Sequence, residues 1–255
     1  MEYKHTIAIL AYNSHDLTMQ VLKELYKTNL NSKILFFDNG SEPSFEKLID
    51  GLNIQYHREL KNIFVNPAWN KIFEMTDTEY LTLLNNDCLI MSKNYFEDII
   101  PNMKKNDIIL SSCYTKNIKT INWLKVAIYK FINYVFYNNK LSYLENTHRQ
   151  GWLMTINLKK YKTMDYIIPS YLKIWFGDDW IWGQIKKNGH KAVVYNNRLA
   201  LHVKSSTTTS NIIKEIIDKD LQSMIENGSW LDEVSNLIHN KKNWLEKITN
   251  LIQKK

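Results

Sequence analysis

The sequence predicts an α/β fold in which helices flank a mostly parallel central sheet. In the first ninety residues, short apolar runs typical of buried strands alternate with segments of helical periodicity. Such strand–helix–strand repetition favours right-handed crossovers between parallel strands. Polar residues follow three of the apolar runs directly, and ligands bind beyond the carboxyl ends of strands in sheets of this kind.

The first half of the chain supplies four predicted strands, at 6–11, 33–37, 54–57 and 80–84. Three predicted helices connect them. Ser14 is expected to cap the first, with Asp16 in its first turn. The second spans about 44–51, and the third runs from near Pro67 to about Met75.

The second half is less regular. A strand is predicted at 108–112, followed by an amphipathic helix at 121–136 whose Lys125 and Lys130 argue against a membrane span. A short helix at 180–188 is expected to end at Gly189. Further predicted elements are strands at 192–195 and 199–203, a helix from 211, and helical pieces at 231–238 and 244–252.

Composition excludes several classes of protein. Two cysteines in 255 residues are too few for a disulfide framework or a cysteine-built zinc site, which favours a reducing, cytoplasmic compartment. The sequence contains no run of 18 uncharged apolar residues, so no transmembrane segment is predicted. The apolar stretch at 6–11 is too short for the core of a signal peptide.

Charge is unevenly distributed along the chain. Residues 1–115 carry a balance of −4, whereas residues 116–255 carry +11. A basic half suggests an anionic partner, such as nucleic acid, a phospholipid surface or an acidic glycan. The alternative is a solvated basic face without a partner.

Six segments occur in an order that resembles a family 2 glycosyltransferase of the GT-A fold. They are TIAILAYN, FFDNGS, NIFVNPAWN, LLNNDCLI, WFGDDWIWGQIKKNGHKAVVY and LHVKSST, and the resemblance covers roughly residues 5–207. It implies transfer of a sugar from a nucleotide diphosphate to an acceptor hydroxyl, usually with inversion and with help from Mn²⁺ or Mg²⁺. The implied donor is a nucleotide-diphospho-sugar, with a UDP-sugar favoured.

The resemblance implies a metal site at Asp87 and His202. The family carries an Asp-x-Asp signature where this chain has Asn85-Asn86-Asp87, so a single carboxylate remains to bind a hard cation. An imidazole is an adequate further ligand for Mn²⁺. The structural alternatives are a turn capped by Asp87 and a histidine buried for packing.

The nucleotide-sugar is expected to contact residues at the strand ends and in the segment from Asn62 to Asn70. Asp38 would accept hydrogen bonds from the base or ribose, or instead close a turn onto Gly40 and Ser41. Asn70 is expected to open the helix that lines the donor pocket, and Phe64 stands where the family usually has glycine. The full predicted set is Ala11, Tyr12, Asn13, Asp38, Asn62, Asn70, Asn85 and Asn86.

The resemblance assigns catalysis to Asp178 and Asp179. An acceptor hydroxyl is a poor nucleophile until a base removes its proton, and Asp179 matches the base of the family. Asp178 would orient the helix start or contact a sugar. The alternative for both is plain N-terminal capping. The predicted acceptor residues are Gly151, Trp152 and Trp180.

These assignments predict a transferase domain at 1–210, with a donor-nucleotide half at 1–115 and an acceptor half at 116–210. A helical C-terminal extension follows at 211–255. The leading acceptor is a bacterial surface glycan, of lipopolysaccharide or capsule type, at the inner face of the membrane. The alternatives are DNA with a hydroxymethylated base, in the host cytoplasm if the protein is phage-encoded, and an inactive nucleotide-sugar-binding protein. The oligomeric state is left open.

Overall fold

A computed structural model describes residues 4–27, 31–135, 140–145, 151–203 and 211–227 of the protein. Within these residues, nine strands form one sheet with helices packed around it, which confirms the predicted α/β fold. The strands are β1 (His5–Ala11), β2 (Lys33–Asp38), β3 (Gln55–Arg58), β4 (Tyr80–Asn85), β5 (Cys88–Ile90), β6 (Ile108–Ile118), β7 (Tyr143–Leu144), β8 (Leu153–Asn157) and β9 (Lys191–Val203). The helices are α1 (His15–Tyr26), α2 (Glu46–Ile49), α3 (Val65–Met75), α4 (Tyr95–Lys105), α5 (Trp123–Val135), α6 (Leu158–Tyr161), α7 (Gly177–Lys187) and α8 (Asn211–Asn227).

The sheet has two unlike halves. The order is β3-β2-β1-β4-β8-β6-β9-β5, and β7 also pairs with β9. Strands β1 to β4 are all parallel, as predicted. The other half is mixed, because β8 runs antiparallel to both β4 and β6. The carboxyl ends of β1, β2 and β4 therefore meet the start of β8 at one edge of the sheet.

The longest strand pair connects distant parts of the chain. The predicted strands at 192–195 and 199–203 are one strand, β9, which runs parallel to β6 with a register shift between Cys113 and Tyr114. A bulge of this kind lets a long strand bend without ending. The far end of β9 also pairs with β5, and Cys88 lies opposite His202.

Two helix starts differ from the predictions. Ser14 occupies the N-cap position of α1 in a left-handed conformation (φ 52°), and its side chain makes no capping hydrogen bond; its carbonyl accepts from Thr18 N–H instead. Helix α7 begins at Gly177, earlier than predicted, so Asp178 and Asp179 lie in its first turn. Gly189 follows its end with a positive φ of 73°, as predicted for a C-terminal glycine.

Helix α8 packs on the same body as the sheet. Ile217, Leu221 and Met224 are buried, and the last two join the apolar cluster that includes Trp180 and Ile181 of α7. The predicted helical pieces at 231–238 and 244–252 lie outside the described residues. Among the residues that the structure describes, no helix has the length and apolarity needed to cross a membrane.

Candidate active site

The carboxylate of Asp87 lies beside the imidazole of His202. Asp87 is in the turn between β4 and β5, and its carbonyl accepts a 2.8 Å hydrogen bond from Val203 N–H, which holds the turn against the end of β9. Asp87 Oδ2 is 3.4 Å from His202 Nε2. Asp87 Oδ1 is buried and has no hydrogen-bond partner among the described residues. Two residues 115 positions apart thus meet because β5 and β9 are neighbouring strands.

The ring of His202 is fixed from two sides. Its Nδ1 lies 3.0 Å from Oδ1 of Asn117 on β6, and its face stacks on Trp152 with centroids 3.8 Å apart and planes 10° from parallel. When Nδ1–H donates to the amide oxygen, Nε2 presents its lone pair toward Asp87. Two electron-rich atoms at this distance need a proton or a cation between them.

Residues Gly151 and Trp152 connect this pair to the predicted catalytic acids. The carbonyl of Trp152 accepts from Asn85 N–H at 3.0 Å. Gly151 N–H donates to Asp178 Oδ2 at 2.9 Å. A side chain at position 151 would lie 2.5 Å from the ring of Trp69, so only glycine permits this approach. One short segment thereby contacts the metal-site candidates and the start of α7.

The first turn of α7 is set by close packing against α3. An added Cβ at Gly177 would lie 2.0 Å from Asn66 Oδ1, and Asn66 Nδ2 donates to the carbonyl of Trp175 at 2.9 Å. Asp178 and Asp179 are partly exposed beside the positive end of the helix, where carboxylates are stabilised. Asp178 Oδ2 holds the backbone of Gly151 at this helix start.

Helix α8 holds the loop that leads into α7. The fully buried carboxylate of Asp220 accepts three backbone hydrogen bonds, from Lys173 at 2.8 Å, Ile174 at 2.6 Å and Trp175 at 2.9 Å. Three N–H donors on one carboxylate fix a loop that has no regular structure of its own. The approach to Asp178 and Asp179 is therefore set by a residue about forty positions downstream.

The predicted nucleotide residue Asp38 is committed to its own loop. Its side chain is fully buried and accepts from Ser41 N–H at 2.9 Å, Phe45 N–H at 3.2 Å and the Tyr56 hydroxyl at 2.8 Å. Burial and, as the smaller cause, the Asp38 carboxylate raise the pKa of Tyr56 to about 12. The phenol therefore stays protonated and donates its hydrogen bond to Asp38. The turn onto Ser41, the structural alternative, is present.

An amide network organises the neighbouring segment. Asn39 is 2% exposed and bonds Asn62 Oδ1, the Phe64 carbonyl and Ile63 N–H. Phe64, at the family's glycine position, keeps a glycine-like conformation (φ 70°, ψ 177°), which costs on the order of 1–3 kcal/mol for other residues. Asn62 Oδ1 also accepts from Phe64 N–H, so Asn62 stabilises the strained residue.

The remaining residues predicted to contact the nucleotide-sugar differ in their hydrogen bonds and burial. Asn13 Oδ1 accepts from Glu42 N–H, and Asn86 Nδ2 donates to the Thr18 hydroxyl, so both lie at the edge where β1 and β4 end. Tyr12 is 37% exposed and Ala11 is fully buried. Asn85 Oδ1 is buried without a hydrogen-bond partner among the described residues.

Two predicted positions differ from expectation. Asn70 does not open α3 but lies in its middle, and both ends of its amide bond the backbone of Ile168, at 2.8 and 2.9 Å. The side chain therefore fastens the 168 loop. Trp180 is 7% exposed and packs in the apolar cluster of α7, so its indole offers little surface to an acceptor.

A divalent cation finds only part of a ligand set here. Among the described residues, no group of three or more His, Cys, Asp or Glu side chains gathers in metal-binding geometry. Asp87 and His202 supply one carboxylate and one imidazole, and no side chain or backbone group of the described ranges hydrogen-bonds Asp87 Oδ1. These donors suit Mn²⁺ or Mg²⁺, provided that a substrate completes the coordination.

Several residues that organise the site were not predicted from the sequence. Asn39 and Asn66 lie inside segments that carried the resemblance, yet no spacing rule marks them as structural centres. Asn117 and Thr18 carry no local signal at all. Each is identified only when strand register or helix packing places it beside His202 or Asn86.

Comparisons with solved structures support the same fold. GalNAc-T7 with UDP, GalNAc and Mn²⁺ matches with a TM-score of 0.61 at 13% identity, over 78% of this chain and 43% of that one. S. aureus TarS in complex with UDP-GlcNAc matches with a TM-score of 0.60 at 13% identity, over 84% of this chain and 64% of that one. The mannosyltransferase PcManGT from Pyrobaculum calidifontis, with GDP-Man and Mn²⁺, matches with a TM-score of 0.60 at 11% identity, over 88% of this chain and 64% of that one. The fold is that of GT-A glycosyltransferases.

Sequence comparison gives a relative and a family. A processive diacylglycerol beta-glycosyltransferase of Mycoplasma genitalium is 26% identical in an alignment of length 196 that covers 69% of this chain and 57% of the relative. The chain thus spans little more than half of that protein. The family described as glycosyl transferase family 2 matches residues 6–165, which include Asn85, Asp87 and Trp152 but not α7 or His202. The chain belongs to glycosyl transferase family 2.

Proposed function

We propose that the protein transfers a sugar from a nucleotide-diphosphate donor to an acceptor hydroxyl, with the help of a divalent cation. The observation that carries the proposal is the Asp87–His202 pair at the carboxyl end of β4, with a buried carboxylate oxygen that has no hydrogen-bond partner within the described part of the chain. An uncompensated buried oxygen is costly for stability, so its presence points to a ligand.

The proposed cation is Mn²⁺ or Mg²⁺, which would be held by the Asp87 carboxylate and His202 Nε2. When bound, it would offset the negative charge that builds on the diphosphate as the glycosidic bond breaks. Because the described residues offer two protein ligands, much of its coordination would come from the donor phosphates. Metal and donor are therefore expected to bind together. Two of the similar structures contain Mn²⁺ beside a nucleotide or nucleotide sugar.

Asp179 is the proposed general base. It lies in the first turn of α7, next to Asp178, which is tied to Gly151. Removal of the acceptor proton by Asp179 lets the hydroxyl oxygen attack the anomeric carbon opposite the departing diphosphate, which inverts the configuration at that carbon. Asp178 would keep Gly151 and Trp152 in place beside the reacting groups.

The donor is expected to lie along the edge from Asn13 to Asn86. Asn13, Asn85 and Asn86 provide amide groups there, and Tyr12 provides an exposed ring. A uridine nucleotide is favoured, since two of the similar structures hold UDP or a UDP-sugar, although the third holds GDP-Man. Asp38, Asn62 and Asn70 would act by holding the loops around this edge.

The proposed acceptor is a lipid-borne hydroxyl at the inner face of a bacterial membrane, either a glycolipid or a lipid-linked surface glycan. The Mycoplasma genitalium relative is named for diacylglycerol as its acceptor class. The basic second half of the chain suits an anionic membrane surface. Hydroxymethylated DNA is the competing acceptor, and the assay below separates the two.

The test has two stages. A thermal-shift screen of UDP- and GDP-sugars with and without Mn²⁺ identifies the donor, because stabilisation rises with ligand occupancy. Transfer of radiolabelled sugar is then measured to vesicles that contain diacylglycerol or glycolipid, and to hydroxymethylated duplex DNA. We expect Mn²⁺-dependent stabilisation by one donor and transfer to lipid. Product on DNA alone would replace the lipid acceptor, and donor binding without any product would contradict the proposed transfer.

A further inference from the structure

Helix α5 turns its apolar side outward. Six large apolar side chains on one half of its circumference are 44–72% exposed. They are Trp123, Leu124, Ile128, Phe131, Ile132 and Val135. A surface helix of a globular protein normally turns such a stripe toward the core and its polar residues toward water. Contiguous exposed apolar surface of this kind marks a site of interaction.

The inward side of α5 is comparatively polar. Val126 is buried, at 3% exposed, and the partly buried Tyr129 packs against the same core. Lys130 pairs with Glu24 of α1, and Asn133 lies 3.4 Å from the Ser92 hydroxyl. Polar side chains that would face water on an ordinary surface helix thus attach α5 to the rest of the domain. The apolar side therefore faces outward, where it can contact a lipid bilayer or another molecule.

The segment around α5 carries only positive charge. Residues 108–144 contain five lysines and no aspartate, glutamate or arginine. Lys116, Lys119 and Lys125 are exposed, and Lys116 Nζ lies 4.9 Å over the ring of Tyr129 in α5, whereas Lys130 is paired with Glu24. Apolar side chains bordered by lysines, with a tryptophan at one end, are typical of helices that lie in the interface of an anionic bilayer.

The outward side of α5 is connected to the candidate active site. Strand β6 runs directly into the loop before α5, and Asn117 near its end bonds His202. A surface that receives α5 would therefore lie close to the Asp87–His202 pair. For a transferase with a lipid acceptor, this is where the acceptor hydroxyl must arrive.

We propose that α5 is a membrane-docking helix. Its six apolar side chains lie among the lipid acyl chains, and Lys116, Lys119 and Lys125 contact anionic headgroups. The inference rests on the proposed function for the lipid nature of the acceptor, but vesicle binding itself requires no catalysis. A second copy of the chain suits this surface poorly, because pairing two α5 helices would bring two lysine groups together without acids from the same segment to neutralise them.

The test is co-sedimentation of the full chain with vesicles of phosphatidylcholine alone and of phosphatidylcholine mixed with phosphatidylglycerol. We expect binding to the anionic vesicles and at least tenfold weaker binding for the variant Leu124→Glu/Phe131→Glu. A matched control, Leu48→Glu/Leu52→Glu, also adds two charges at exposed leucines, and it should bind as the unmodified protein does. Lys119→Gln and Lys125→Gln should each lower affinity for anionic vesicles by about fivefold.

Two results would overturn the inference. One is equal vesicle binding by the Leu124→Glu/Phe131→Glu variant and the unmodified protein. The other is a concentration-dependent dimer in sedimentation velocity that this variant abolishes, which would assign the surface to a second copy. Asp179→Asn should bind vesicles normally. Vesicle binding without transfer would therefore count against the proposed function alone, and transfer to a soluble acceptor without vesicle binding would count against the docking helix alone.

Discussion

Gly151 N–H donates a hydrogen bond to Oδ2 of Asp178 over 2.9 Å. The bond crosses from the start of β8 to the first turn of α7, and the next residue, Trp152, stacks on His202. Asp178 of α7 therefore positions the backbone beside the metal-site candidates. The first prediction concerns its neighbour Asp179, the proposed base.

Replacement of Asp179 by asparagine should reduce kcat by about 10²- to 10⁴-fold, because an amide cannot accept the acceptor's proton. The dissociation constant of the donor, measured by calorimetry, should change little. Asp178→Asn is the matched control: its amide oxygen still accepts from Gly151 N–H, so a much smaller loss of kcat is expected. Equal losses in the two variants would contradict the assignment of the base to Asp179.

Replacement of Asp87 by alanine should weaken donor binding in the presence of Mn²⁺ by at least about tenfold, since the carboxylate oxygen that faces the proposed cation is removed. His202→Ala should act in the same direction. Without Mn²⁺, both variants should bind the donor as the unmodified protein does. Asp50→Ala removes an exposed carboxylate that is not among the predicted site residues and serves as the control. Unchanged calorimetric affinity of Asp87→Ala with Mn²⁺ would remove Asp87 from the metal site.

Replacement of Asp220 by alanine should lower the free energy of unfolding by about 2–3 kcal/mol, because three backbone N–H groups lose their acceptor. Transfer activity should fall as well, since the loop they belong to enters α7. Glu215→Ala, an exposed change on the same helix, should alter neither quantity. Denaturant unfolding and the transfer assay measure the two effects; full stability in Asp220→Ala would show that the loop is held by other contacts.

His5 should make the protein less stable in acid. Burial lowers its pKa to about 3 in the folded chain, where its nitrogens bond Ser32 and Thr82, whereas an unfolded histidine titrates near 6.5. Between these values the unfolded state binds the proton and the folded state does not, so stability falls as the pH decreases from 6.5 toward 3.

Between pH 8 and pH 5, this single group should cost about 2 kcal/mol of stability. Denaturant unfolding of His5→Gln should show a pH dependence that is weaker by this amount, and the control His190→Gln, at a partly exposed position, should keep the full dependence. An identical pH dependence in His5→Gln and the unmodified protein would exclude His5 as the source.

The parallel half of the sheet was predictable because its signals are local. Each of the strands β1, β2 and β4 is rich in apolar residues, and both faces of a parallel sheet are covered by helices. The first turn of α7 was also close to expectation, since Gly177 and two acids form a compact helix-start pattern. Element positions in this part required no knowledge of long-range pairing.

The mixed half of the sheet and the geometry of the site depend on long-range strand pairing and packing, which leave no local pattern in the sequence. Strand β8 enters the middle of the sheet between β4 and β6, and only this position brings Trp152 to His202. Asn70 was expected at a helix start because its motif suggested one, but Pro67 and Phe64 place the start of α3 earlier. The roles of Asn39, Asn117 and Asp220 depend on register and packing alone.

The hold that Asp220 exerts on residues 173–175 has a practical consequence for choosing fragments. A chain cut at residue 210 would keep every predicted site residue and yet expose three unpaired amides directly before the catalytic helix. The shortest fragment expected to work as an enzyme therefore ends no earlier than Asn227, and deletion series that begin from the C-terminus should lose activity in a single step once α8 is removed.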